Sequence, residues 1–192
     1  MAKPLAVMVP LHSFAPGGVE RVALRLCRAW AGDPGVAVQL VIGREDGPMR
    51  SEAPADLPRH VTPEPFPTAA WESLWMMLTL PAHIRRLRPD ILFAAGNSYA
   101  VIAIVMKLVL GRACPPVVLK ISNDLERRDM PALLRWAYHR WLRLQGRMID
   151  HVTGLAEPMR AEIGHFLAMP ADRIHIIDDP ALAAADLATL AA

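Results

Sequence analysis

Leu5-Ala6-Val7-Met8-Val9, a short polar loop, and then Pro16-Gly17-Gly18-Val19-Glu20-Arg21 open this chain, and their reading decides the fold. A continuous apolar run of strand length leads into a glycine turn. Apolar residues at helical spacing follow (Val22, Leu26, Ala29, Trp30), with Arg21, Arg25 and Arg28 on the opposite face. A strand, a glycine turn and a helix N-terminus together direct backbone N–H groups toward an anion. The spacing is not the G-x-G-x-x-G of a dinucleotide fold, and no Lys-Ser/Thr follows as in a P-loop.

The same unit repeats outward along the chain. Strand-length apolar runs are predicted at residues 5–9, 36–42, 91–94, 117–121, 148–153 and 174–177, with a weaker one at 60–62. Most are unbroken Val/Ile/Leu runs, as expected where both faces of a parallel sheet are covered. Helical patterns fill the intervals at 19–30, 68–87, 99–110, 130–146 and 157–167. The expected architecture is a single α/β, Rossmann-like domain. Its mostly parallel sheet has about six or seven strands, with helices on both faces.

Bulk properties narrow the function. Net charge is only +2 over 192 residues, which gives no reason to expect nucleic acid as a partner. Cys27 and Cys114 stand in apolar segments rather than in a spaced framework, so neither a disulfide scaffold nor a Cys-based zinc site is expected. The apolar stretches at 74–80 and 100–110 fall short of the ~18 residues that span a bilayer. A cytoplasmic protein is expected, with peripheral contact at the inner face of the membrane as a further expectation.

Four stretches carry a family resemblance: Pro16-Gly17-Gly18-Val19-Glu20-Arg21; Arg88-Pro89-Asp90-Ile91-Leu92; Pro116-Val117-Val118-Leu119-Lys120-Ile121-Ser122-Asn123-Asp124; and Ala171-Asp172-Arg173-Ile174-His175-Ile176-Ile177-Asp178-Asp179-Pro180. In order and spacing they resemble the N-terminal domain of a GT-B-fold glycosyltransferase of the retaining family-4 type. The resemblance implies an acceptor-side domain at 1–180, with 181–192 starting an interdomain linker or tail. The donor-binding C-terminal domain is then absent from this chain, which would be inactive alone. The implied reaction, of the polysaccharide-biosynthesis kind, moves a sugar from a UDP- or GDP-sugar to a hydroxyl of a glycan or lipid-linked acceptor. The nucleotide sugar is co-substrate, and no cofactor or metal is expected. Two departures stand out. Where many relatives place a histidine after the strand at 117–121, this chain reads Ser122-Asn123, so no catalytic residue is carried over. The usual Asn-Pro is Asp179-Pro180.

Candidate site residues fall on one expected sheet edge. Gly17, Gly18, Glu20 and Arg21 form a donor-phosphate loop or an ordinary helix start, and Glu20 also suits the helix dipole with no ligand bound. His12 lies in the loop after the first strand. Asn97 and Ser98, and Ser122, Asn123 and Asp124, follow buried strands where α/β folds place ligands, yet these residue types also cap helices. No histidine pair has metal-binding spacing.

The basic, aromatic segment 135–147 places Ala137, Trp141, Leu144 and Met148 on a predicted inward stripe. Trp136, Arg140, Arg143 and Arg147 lie opposite, as a membrane-surface face or a solvated one. Trp71, Trp75, Met76 and Met77 are expected in the core. Two alternatives to the acceptor-side domain of a transferase stay open, a subunit of a split transferase and a non-catalytic module binding a glycan or partner. No G-x-G-x-x-G follows any strand, which disfavours a stand-alone oxidoreductase.

Overall fold

The computed structural model describes residues 3–177, so the Asp178-Asp179-Pro180 turn and the 181–192 tail lie outside the described residues. Seven strands form one sheet in the order β3-β2-β1-β4-β5-β6-β7, and every neighbouring pair is parallel. They are β1 (Leu5–Leu11), β2 (Val36–Ile42), β3 (Arg59–Val61), β4 (Ile91–Ala94), β5 (Val117–Lys120), β6 (His151–Gly154) and β7 (Ile174–Ile176). Five α-helices connect them: α1 (Gly18–Ala31), α2 (Glu72–Leu87), α3 (Ala100–Leu110), α4 (Ala132–Met148) and α5 (Glu157–Leu167).

The strand order reverses direction between β1 and β4. Right-handed crossovers therefore send α1 to one face and the later helices to the other. The helices α2, α3, α4 and α5 pack side by side, while α1 rests on β1 and β2 and sets Trp30 edge-on against Phe93 of β4. The expectation of helices on both faces thus holds around β1. Beyond it, register puts Lys120, Thr153 and His175 in line on the α1 side of β5, β6 and β7. That is why these last strands alternate in polarity instead of running apolar throughout.

Two aspartates fix the strand starts. Asp90 Oδ2 accepts the Ala6 N–H at 2.8 Å, tying the entry of β4 to β1, and Asp150 Oδ2 accepts the Val117 N–H at 2.6 Å, tying the entry of β6 to β5. Both satisfy backbone donors that begin a ladder and have no strand partner yet.

Four sequence expectations need correction. β1 runs on through Pro10 to Leu11, because Pro10 lies past Met8, the last residue that β1 pairs with β4. The sixth strand starts at His151, not at residue 148, because α4 continues to Met148. The inward stripe of α4 is also shifted. Ala137 and Leu144 are exposed, while Leu142, Gln145 and Gly146 are buried, because the helix is phased by a close crossing at Gly146. A Cβ there would collide with the carbonyl of Leu167, the last residue of α5. Of the expected core residues on α2, Met76 is fully buried, whereas Trp71, just before the helix, stands exposed.

Candidate functional site

The C-terminal ends of all the strands share one edge, and the reversal between β1 and β4 opens a crevice there. α/β sheets bind ligands in such crevices. Three connections converge on it: the β1–α1 loop, the β2 end with the start of α2, and the β4–α3 turn.

Tyr99, fully buried after β4, is the post around which the crevice is built. The His12 N–H donates to Tyr99 Oη at 2.7 Å, and the two rings stack with centroids 4.6 Å apart. Burial pushes the Tyr99 hydroxyl far above its ordinary range, so it stays a neutral phenol. The His12 imidazole faces the first turn of α2, with Nε2 at 3.4 Å from Ser73 Oγ and Nδ1 at 4.0 Å from Glu72 Oε2. Burial holds the His12 pKa below its ordinary value. Glu72 opposes that shift and Arg44 reinforces it. The ring is therefore a neutral donor–acceptor at physiological pH.

Arg44, just past β2, forms ion pairs with Glu72 and, at 2.8 Å, with Asp46. Its Nε is buried with no partner among the described residues. Glu20 completes the group electrostatically. Its carboxyl is raised above the ordinary value by burial, lowered by its own N–H and raised again by Glu72.

The glycine loop is organised differently from a phosphate cradle that depends on left-handed glycines. Gly17 is extended, at φ −160°, and the Glu20 carboxylate folds into the space its side chain would fill. The first turn of α1 is thus already answered by the chain's own acid. Gly18 faces open space, with nothing within 4 Å of an added Cβ. Arg21 donates its N–H to the Gly17 carbonyl at 3.1 Å, and its side chain is exposed.

Gly96, which the sequence reading passed over, is the tighter position. Its missing Cβ would lie 2.5 Å from Val19 Cγ2, so the β4–α3 turn can close onto the start of α1. The turn then carries Asn97, whose Oδ1 accepts the Ser122 N–H at 3.3 Å and joins it to the loop after β5. Ser122 Oγ reaches Asn123 Oδ1 at 3.5 Å. Asp124 turns away into a local bend, accepting the Glu126 N–H at 2.9 Å. Ser98 is exposed and its side chain makes no contact with these groups among the described residues.

His12, Gly17, Glu20, Asn97 and Ser122 are therefore brought to one crevice, and Asp124 is diverted to its own loop. Arg44, Glu72, Ser73 and Tyr99 were missed by sequence reasoning. Arg44 was within reach of it, since it follows an apolar strand in the same way as His12 does. Among the described residues no group of three or more His, Cys, Asp or Glu is placed to hold a metal ion.

An apolar lane leaves this polar group along α2. Phe66, Trp71, Leu74 and Leu78 are exposed and line one shallow groove with Thr68 and Trp75. Trp75 Nε1 donates to the Gly43 carbonyl at 3.3 Å, which fixes the head of the lane beside the site. On α4, Trp136, Arg140, Arg143 and Arg147 are exposed, and the Arg140 guanidinium sits 5.8 Å from the Trp136 ring centre. Among the described residues no helix is long and apolar enough to cross a membrane.

Residues 16–179 match the model of Glycosyltransferase Family 4. The chain belongs to that family. No match was found among curated proteins. Solved structures share its fold at low identity. Anabaena HepE in complex with UDP and glucose is 13% identical with a TM-score of 0.59, covering 91% of this chain and 44% of its own. S. aureus MnaA with UDP is 11% identical with a TM-score of 0.62, over 92% of this chain and 44% of its own. The lipopolysaccharide outer core galactosyltransferase WaaB is 9% identical with a TM-score of 0.53, over 90% of this chain and 45% of its own. This family-4 chain therefore spans less than half the length of each.

Proposed function

We propose that this family-4 chain is the acceptor-side domain of a retaining glycosyltransferase. The enzyme moves a sugar from a UDP- or GDP-sugar to a hydroxyl of a lipid-linked glycan, at the cytoplasmic face of a membrane. The observation that carries the reading is the family match across residues 16–179. Because the solved relatives are about twice as long, the donor-binding half is assigned to a second domain, on this polypeptide or another.

The crevice chemistry supports the acceptor role. His12, neutral and next to Glu72 and Ser73, can accept a hydrogen bond from a sugar hydroxyl, and Asn97 and Asn123 offer amides to others. Glu20 already answers the helix start, so donor diphosphate binding is left mainly to the second domain, with open Gly18 as the point of approach. The nucleotide sugar enters as co-substrate, and no metal is assigned to this half. The apolar lane beside Trp75 suits the lipid portion of an acceptor whose sugar head sits at His12. The Trp136/Arg140 face of α4 suits an anionic membrane surface.

Two titrations of the folded chain test this. UDP-glucose and GDP-mannose should give no micromolar binding by calorimetry; tight binding by this chain alone overturns the acceptor-side assignment. Dodecyl maltoside below its micelle concentration should shift tryptophan fluorescence, where maltose alone does not. His12→Ala and Leu74→Glu should each weaken that response. A response indifferent to His12→Ala would favour a module that only binds amphiphiles.

A further inference from the structure

An open cavity lies at the opposite, N-terminal edge of the sheet, away from the crevice. Its volume is about 640 Å³ and it opens to the surface; its wall is set by Ile84, Pro89, Pro115 and Pro116, with Arg85, Arg88 and Arg112 around it. We propose that this cavity is a second ligand site, which takes a phosphate-bearing anion through these three arginines.

The three guanidinium groups come from separate places that the fold brings together. Arg85 and Arg88 end α2, and Arg112 follows α3, in the turn Gly111–Ala113. None has a hydrogen-bond or ion-pair partner among the described residues. Several other arginines are answered by the chain itself: Arg44 meets Glu72, Arg127 meets Asp129, Arg160 meets Glu157, and Arg173 donates to the carbonyls of Ile149 and Asp150.

Asp90, the acid in the cavity wall, is already held by the Ala6 N–H at 2.8 Å. Nearby Lys107 is taken by Asp150 at 2.5 Å, so the arginines carry the available positive charge. The C-termini of α2 and α3 offset part of it. Each helix end is worth about half a negative charge and Asp90 adds one more, which leaves a surplus of about one positive charge from the three guanidinium groups. Three guanidinium forks around one cavity match the several oxygens of a phosphate better than the two of a carboxylate, since each fork binds oxygens in pairs.

Arg88 can lose its side chain without cost to the backbone. Its backbone sits in the left-handed region at φ 46°, capping α2 through its N–H to the Ile84 carbonyl at 2.9 Å. Glycine is the favoured residue at such a cap. Ala168 caps α5 in the same left-handed conformation, so the cap itself does not call for the arginine side chain.

That independence makes the test sharp. The full chain is titrated calorimetrically with inorganic pyrophosphate at low salt, and co-sedimented with phosphatidylcholine vesicles with and without phosphatidylglycerol. Arg88→Gly and Arg85→Gln/Arg112→Gln are compared with the wild type. Arg88→Gly should leave the melting temperature equal or higher while weakening anion binding about tenfold. The double variant should abolish binding, and added NaCl should weaken it in the wild type. Pyrophosphate binding marks a soluble phosphate ligand, whereas binding confined to phosphatidylglycerol vesicles marks a lipid headgroup, provided in either case that the cavity variants lose it. Binding that survives both variants, or no binding of either probe, overturns the proposal.

Discussion

Glu20 and His12 hold opposite titration stories within one crevice. The folded Glu20 carboxyl sits above its ordinary value of 4.5, so its ionisation is disfavoured by folding. Stability is therefore lost as pH rises from 4.5 through the folded value. Glu20→Gln should melt higher than the wild type at pH 7, and the gap should close at pH 4. His12, His60 and His83 all sit below the ordinary 6.5 because they are buried, His60 and His83 also beside Arg86. Below 6.5 the unfolded chain takes up protons that the folded chain refuses. Stability should hold above pH 6.5 and fall as pH drops through the folded values, and His83→Gln should flatten a melting-temperature profile between pH 8 and 5. At this scale His12 and Asn97 were legible, because each follows an apolar strand at its C-terminal end. Glu72 and Ser73 were not. They reach the crevice only through the packing of α2 across the sheet, which no local pattern encodes.

Two glycines separate what an element tolerates from what it requires. Gly146 in α4 faces the backbone carbonyl of Leu167, and no side chain can yield there. Gly146→Ala should cost on the order of 3 kcal/mol, lowering the melting temperature by roughly 5–10 °C. Gly18→Ala, which meets open space at the start of α1, should stay within about 0.5 kcal/mol of the wild type. Thermal melts of the two variants side by side check both. The order of strands and helices was legible throughout, since each apolar run and each amphipathic stretch points to its own element. The phase of α4 was not. Its apolar residues occur almost all round the helix, so spacing alone could not say that Gly146 and Leu142, rather than Ala137 and Leu144, face α5. The alternating polarity of β6 and β7 was visible in His151-Val152-Thr153 and Ile174-His175-Ile176. It takes on meaning only once α1 is seen to stop short of covering them.

Over the whole molecule, the outward surface of the α2–α4 layer is unusually apolar, with Leu78 67%, Leu108 69%, Leu133 79% and Trp136 61% exposed. Exposed apolar groups set among arginines favour a partner or a membrane over bulk water. Neutralising Arg140 and Arg143 to Gln should reduce binding to phosphatidylglycerol vesicles about fivefold per charge, on the usual worth of one basic residue at an anionic surface. Unchanged binding would leave α4 as a solvated face. The central position of β1 has a different consequence, in time instead of space. The strand is made first, yet the latch that closes its second side, Asp90 on Ala6, lies 84 residues later. At a synthesis rate of 5–20 residues per second, β1 waits roughly 4–17 s with one hydrogen-bonding edge open. During translation, the nascent chain presents an unpaired apolar ribbon to chaperones and to its neighbours on the same message.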